Sequence, residues 1–154
     1  MAETVAQSLS EELFEYLQHE RYVTVGSIDY ETKAPVLSAI SWVVALDNHT
    51  IRIALDSRSR ILTNVSQDPK VVLNLIGCGS TYAINGIAKI IADKMEGVPL
   101  KLGMLEVKIE SVRDIMFYGS RISVEPQYEK TYDQNAAAKL DQQVMTALRT
   151  LAIT

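Results

Sequence analysis

The sequence is poor in the residues that build metal and nucleophile centres. It holds one cysteine, Cys78, and two histidines, His19 and His49. A lone cysteine closes no internal disulfide, which suits a reducing compartment, so a cytoplasmic protein is expected. Nor does it offer the ligand spacing of a structural zinc site. His19 ends a helical stretch and His49 sits in the polar turn "DNHT", so a Ser-His-Asp triad has little to draw on, and no G-x-S-x-G is present. "GCGSTY" begins like a dinucleotide fingerprint, but Tyr82 stands where the third glycine belongs and a strand pattern follows. Lys and Arg total 15 against 19 Asp and Glu, with no basic run, which argues against a nucleic-acid partner. Apolar runs fall short of the ~18 residues of a spanning helix. The opening "MAETVAQSLSEEL" lacks the basic and apolar regions of a signal peptide, so no membrane association is expected.

What is present is an ordinary globular composition, 47% hydrophobic and 22% charged over 154 residues, which reads as one domain over 1–154. "SLSEELFEYLQHE" predicts a helix, with Ser8 and Glu11 spaced as a capping box and Leu9, Leu13 and Leu17 on one face. "RYVTVGSID" predicts a strand and "DYETK" a turn. "APVLSAISWVVALD" reads as one long strand, with Val36, Ile40, Trp42, Val44 and Leu46 sharing a face and Ser41 opposite. "TIRIAL" alternates as the next strand, and "ILTNVSQD" is a short helix stopped by Pro69. "KVVLNLIG" and "STYAINGIAKIIAD" are further strands, the second with a candidate bulge at Gly86. In "LEVKIES", Leu105, Val107 and Ile109 alternate with Glu106, Lys108 and Glu110, which predicts one wet face. After the loop "RISVEPQYEKTYD", Asp133 is placed to cap a last helix with the stripe Leu140, Val144, Leu148 and Leu151. Short connections favour antiparallel pairing. The expectation is a mainly β fold with peripheral helices, a six-stranded antiparallel barrel, closed or partly closed.

The stretch "ALDSRSRILTNVSQDPKVV" carries the functional signal. With Ser57 as cap, the amides of Arg58, Ser59 and Arg60 point out of the short helix as open donors, where the helix dipole favours negative charge. Arginine adds a planar fork that matches phosphate oxygens, so the segment reads as an anion site without a glycine-rich loop. The alternative is that both arginines are solvated or paired with surface carboxylates. Trp42 reads as a stacking wall or as a core or interface residue. Cys78 reads as a small buried hydrophobe, Phe117 and Tyr118 as packing residues, with Tyr118 and Arg121 alternatively reaching a partner's site.

The order "SAISWVVALDNHTIRIALDSRSRILTNVSQDPKVVLNLIG" resembles the pyridoxamine 5′-phosphate oxidase-like family of flavin-binding split barrels. The likeness rests on a strand, a turn, a second strand ending near Ser59-Arg60, a short helix and Asp68-Pro69. It implies a split β-barrel that binds flavin mononucleotide (FMN) between the subunits of a homodimer and acts as an oxidoreductase. Ser59 and Arg60 match the pair that holds the flavin phosphate, with Arg58 and Ser57 beside them. Ser38, Ser41 and Trp42 match the strand facing the ring, and Ala54, Leu55 and Asp56 the strand edge next to it. Ile61 stands where the oxidases carry a lysine, and their substrate-binding arginine and histidine pattern near the C-terminus is not recognisable. The first implies one lost phosphate contact, for which Arg58 is placed to compensate, and the second turns the expectation away from vitamin-phosphate oxidation. A binding module of the same fold for haem, a deazaflavin or another phosphorylated ligand is the alternative. A stress-related interaction protein without a ligand is the third.

Overall fold

A computed structural model describes residues 5–150; residues 1–4 and 151–154, with Leu151 of the expected helical stripe, lie outside the described residues. The chain runs β1 (Val5–Ala6), α1 (Glu11–Tyr16), β2 (Val23–Ile28), β3 (Pro35–Ile40), β4 (Val43–Asp47) and β5 (Thr50–Asp56). It continues through α2 (Arg60–Gln67), β6 (Lys70–Gly77), β7 (Ser80–Ala92), β8 (Leu102–Asp114) and α3 (Gln134–Thr150). Every pairing is antiparallel, in one sheet of order β3-β2-β6-β7-β8-β5-β4, with β1 on β8. The fold is therefore mainly antiparallel β with few helices. Cys78 and Gly79 join β6 to β7 with φ of 53° and 76°, the left-handed pair a two-residue hairpin turn requires. A register shift at Asn85/Gly86 confirms the bulge expected there.

Strands β3 and β4 are the two ends of the sheet, yet only Ser41 and Trp42 separate them in the chain. The sheet must curl until its ends share one corner. It does not close: β3 pairs with β2 alone and β4 with β5 alone. The long strand expected over 34–47 is thus two strands, broken where Val43 N–H donates to the Ser41 carbonyl at 3.0 Å. The physical reason is that one straight strand cannot serve both ends of a curled sheet.

The curl encloses an apolar interior of residues such as Leu17, Val25, Val43, Ile53, Leu73, Ile84 and Leu105. Each side chain of this size contributes about 1.5–3 kcal/mol on burial. A second cluster lies outside the curl, where Val144, Met145 and Leu148 of α3 cover Val44, Ala54 and Met104. Strand β4 is sandwiched between the two, which explains its unbroken apolar run.

Two local expectations are corrected. Ser10, not Ser8, caps α1, its Oγ accepting from Leu13 N–H at 3.2 Å. Glu106 is not on a wet face. It pairs with Arg52 on the neighbouring strand, and both side chains are sealed, at 2% and 0% exposure. Arg52 Nη1 also donates to the Leu148 carbonyl at 3.0 Å, so α3 roofs this part of the sheet and leaves only Lys108 and Glu110 near water.

Candidate functional site

Strand β5 ends at Asp56 and the chain enters α2 four residues later, a turn organised by Asp56 itself. Its Oδ1 accepts from Arg58 N–H at 2.8 Å and its carbonyl from Ser59 N–H at 2.8 Å. Ser59, not Ser57, is the cap, and its Oγ accepts from Ile61 N–H at 3.2 Å. The amides of Arg58 and Ser59 are therefore not open donors. An aspartate two residues ahead takes them in an Asx-type turn.

Both arginines hold carboxylates. Arg58 lies across Asp56, Nε to Oδ1 and Nη2 to Oδ2 at 3.2 Å each, fully in solvent. Arg60 reaches back to the β2–β3 turn, where its Nε meets Asp29 Oδ1 at 2.7 Å and its Nη2 meets Glu31 Oε1 at 2.6 Å. Its guanidinium also stands over the Tyr30 ring at 4.5 Å. Hydrogen bonds from Arg60, then from Thr32 N–H, hold the nearly buried Asp29 carboxyl well below the usual carboxylate range. Asp29 and Glu31 are the residues that sequence reasoning missed; their signal was two carboxylates in "DYETK", read as a plain turn.

A guanidinium carries five N–H donors. Arg58 spends two on Asp56, while Arg60 spends four bonds on Asp29, Glu31 and the Tyr30 hydroxyl. Arg58 is the more exposed cation, with more donors left over, and Arg60 the more fully bonded one. The Ser59 hydroxyl proton remains free to donate, since its oxygen acts as acceptor in the cap.

Beside this turn lies a cleft of about 350 Å³ at the split of the sheet. One wall is Ser38, Ser41 and Trp42 from the corner between β3 and β4, and the other is Ala54, Leu55 and Asp56 from the end of β5, with Ser59 and Ile61 at the helix end. The structure thus brings together seven of the ten residues expected at the site. Ser57, Arg58 and Arg60 do not line the cleft. Ser41 and Trp42 both line it because the strand breaks between β3 and β4, which removes the alternation that would have put them on opposite faces. Ile61 is 2% exposed and belongs to the barrel interior, so no cation could occupy its place without rebuilding the core.

The remaining candidates fall elsewhere. His19 and His49 are exposed, and neither lines the cleft. Burial first, then the neighbouring Glu12, pushes the Cys78 thiol up to about 11, which leaves it unreactive at neutral pH. Phe117 and Tyr118, expected to pack, are instead 68% and 82% exposed. Among the described residues no cluster of His, Cys, Asp or Glu could hold a metal ion, and no helix is long and apolar enough to cross a membrane.

In chemical terms the cleft is a largely apolar slot with the Ser59 hydroxyl at one end, and Arg58 and Arg60 lie next to Ser59 in the chain but outside the lining. The outer edge of β3 carries no strand partner, so its backbone groups are available to the rim of a heterocycle. These features fit a planar ring bearing an anionic tail.

Comparison with known proteins gives a consistent picture. Residues 9–115 match the family model described as pyridoxamine 5′-phosphate oxidase. A candidate pyridoxamine 5′-phosphate oxidase from Lactobacillus delbrueckii superposes with a TM-score of 0.61 at 15% identity, over 73% of this chain and 98% of that one. HupZ of Group A Streptococcus gives 0.58 at 13% identity, over 75% and 99%. An F420 reductase gives 0.56 at 14% identity, over 68% and 98%. No curated protein sequence matches.

Proposed function

The chain belongs to the pyridoxamine 5′-phosphate oxidase family, and from that premise we propose that it binds FMN in the cleft and acts as a flavin-dependent oxidoreductase in the cytoplasm. One observation carries this reading: the split of the sheet sets a flat slot with an open strand edge directly against the Ser59 end of α2. The Ser59 hydroxyl at its end holds the phosphate, and the Arg58 side chain, the remaining Arg60 donor and Ser57 complete the anchor from just outside the cleft lining. Ser38, Ser41, Trp42, Ala54, Leu55 and Asp56 flank the ring. Bound there, the flavin supplies the redox chemistry. The protein contributes orientation and exclusion of water. Arg58 keeps Asp56 ionised, so Asp56 is an acceptor and not a proton donor at neutral pH.

Members of the family are often dimers, and two features support a homodimer here. Strand β3 is an unpaired edge whose Leu37 is 71% exposed, and Phe117, Tyr118 and Val124 offer further apolar surface. A second copy laid on β3 would close the open side of the cleft and place the flavin between subunits.

The carboxylates already held by both arginines favour a second reading, an interaction module of the same fold that holds no flavin. Absorption spectroscopy separates the two. Purified protein incubated with FMN and freed of excess retains flavin bands at about one per chain in the first case. A colourless protein after the same treatment sinks the flavin reading.

A further inference from the structure

The single tryptophan connects the cleft to a charged network that the flavin reading does not use. Trp42 forms part of the cleft wall, and its indole Nε1–H donates to Asp141 Oδ1 on α3 at 2.9 Å. The same oxygen accepts from Lys130 Nζ at 3.2 Å. Lys130 in turn meets Glu20 Oε1 at 3.1 Å, and Glu20 accepts from the Tyr128 hydroxyl at 2.5 Å. The Lys130, Glu20 and Asp141 side chains are only about one-fifth exposed, so solvent screens these charges far less than it screens Arg58. The scaffold behind them is firm: Leu148 of the same helix binds Arg52, and the Arg149 side chain bonds the Gln18 carbonyl.

An indole needs one hydrogen-bond partner when partly buried, and a backbone carbonyl or water would satisfy it. Here the partner is a carboxylate fixed by an ammonium from a third segment. A charge-assisted bond of this kind selects one side-chain rotamer out of several. The indole edge is held at α3, which leaves its ring to define the wall next to Ser41.

We propose that Asp141 is a positioning residue for the ligand: acting through Trp42, with Lys130 and Glu20 behind it, it sets the width of the slot that receives the heterocycle. The role rests on the cleft being the flavin site. The loop 115–133 and α3 are then part of the binding apparatus and not a mere roof.

The test uses the full chain and FMN as the probe. Trp42 is the sole tryptophan, so its emission reports on this residue alone. Asp141→Ala is expected to red-shift that emission, raise quenching by iodide and weaken FMN binding about tenfold, the equivalent of about 1.4 kcal/mol. Asp141→Asn keeps an acceptor for the indole and is expected to restore emission and bring affinity back to within about threefold. In a Trp42→Phe background, Asp141→Ala should weaken FMN no further, because the two residues act in series. If Asp141→Ala does not fold, Asp141→Ser, whose hydroxyl is too short to reach the indole, carries the same comparison alone and in the Trp42→Phe background. Unchanged emission in Asp141→Ala, or unchanged FMN affinity accompanied only by a lower Tm, overturns the proposal and leaves Asp141 as a strut for α3. Failure of the unaltered chain to bind FMN overturns the flavin reading instead. Emission and iodide access in the ligand-free variants then still decide whether Asp141 holds Trp42.

Discussion

Strand β5 carries arginine–carboxylate chemistry in two places only a few residues apart, with opposite consequences. Arg52 lies mid-strand beneath α3, paired to Glu106 with neither side chain reaching water. Arg58 and Arg60 follow the strand end, where their carboxylate partners sit at 54%, 6% and 61% exposure. In the sealed pair, desolvation is large, and Glu106 also draws in Lys108 Nζ at 3.5 Å. In the open pairs, water screens the attraction and donors are left over for an incoming anion. Charge type does not separate a structural arginine from a binding one. Solvent does.

The largest expected effect breaks the sealed pair. Glu106→Gln removes the buried carboxylate that Arg52 and Lys108 share and should cost about 3–5 kcal/mol in urea unfolding. Arg52→Met with Glu106→Leu removes both charges and should lie much closer to wild type, so the two losses are not additive.

Next in size is the anion end. Arg60→Ala should weaken FMN about tenfold while leaving most of the unfolding free energy in place, read by equilibrium dialysis and thermal melts. An unaltered dissociation constant would remove Arg60 from the anchor.

A third expectation concerns acid. Asp29 titrates below its unfolded value of about 3.9. Its contribution is therefore present above that pH and lost as pH falls towards the folded value. Asp29→Asn should flatten the stability profile below about pH 4. The smallest effect belongs to Arg58→Ala, with FMN weakened a few-fold and no measurable change in Tm, since its pair lies fully in solvent.

The sequence made the local parts of this arrangement legible. Apolar alternation marked the strands, Pro69 stopped α2, and Asp133 caps α3 through bonds to Asn135 and Ala136 N–H. The Ser-Arg-Ser-Arg turn stood out because its residues are contiguous. Long-range partners were invisible for the converse reason. Nothing in "LEVKIES" says that Glu106 faces an arginine 54 positions earlier, or that the C-terminal helix α3 will exclude water from both. Likewise the break at Ser41–Trp42 follows from the curl of the whole sheet, not from local propensity. The strand pattern there is intact on both sides of the break. The Asp29 and Glu31 partners of Arg60 fall in the same class, 31 and 29 residues away.

The central claim is that the cleft takes a flavin whose phosphate sits at the Ser59 end of α2. Titrating the unaltered chain with FMN and, separately, with riboflavin, which has the same ring and no phosphate, tests it most directly. The account predicts FMN binding at least about tenfold tighter, as one charge-assisted anchor requires. Equal affinity for the two, or no binding of either, would contradict it.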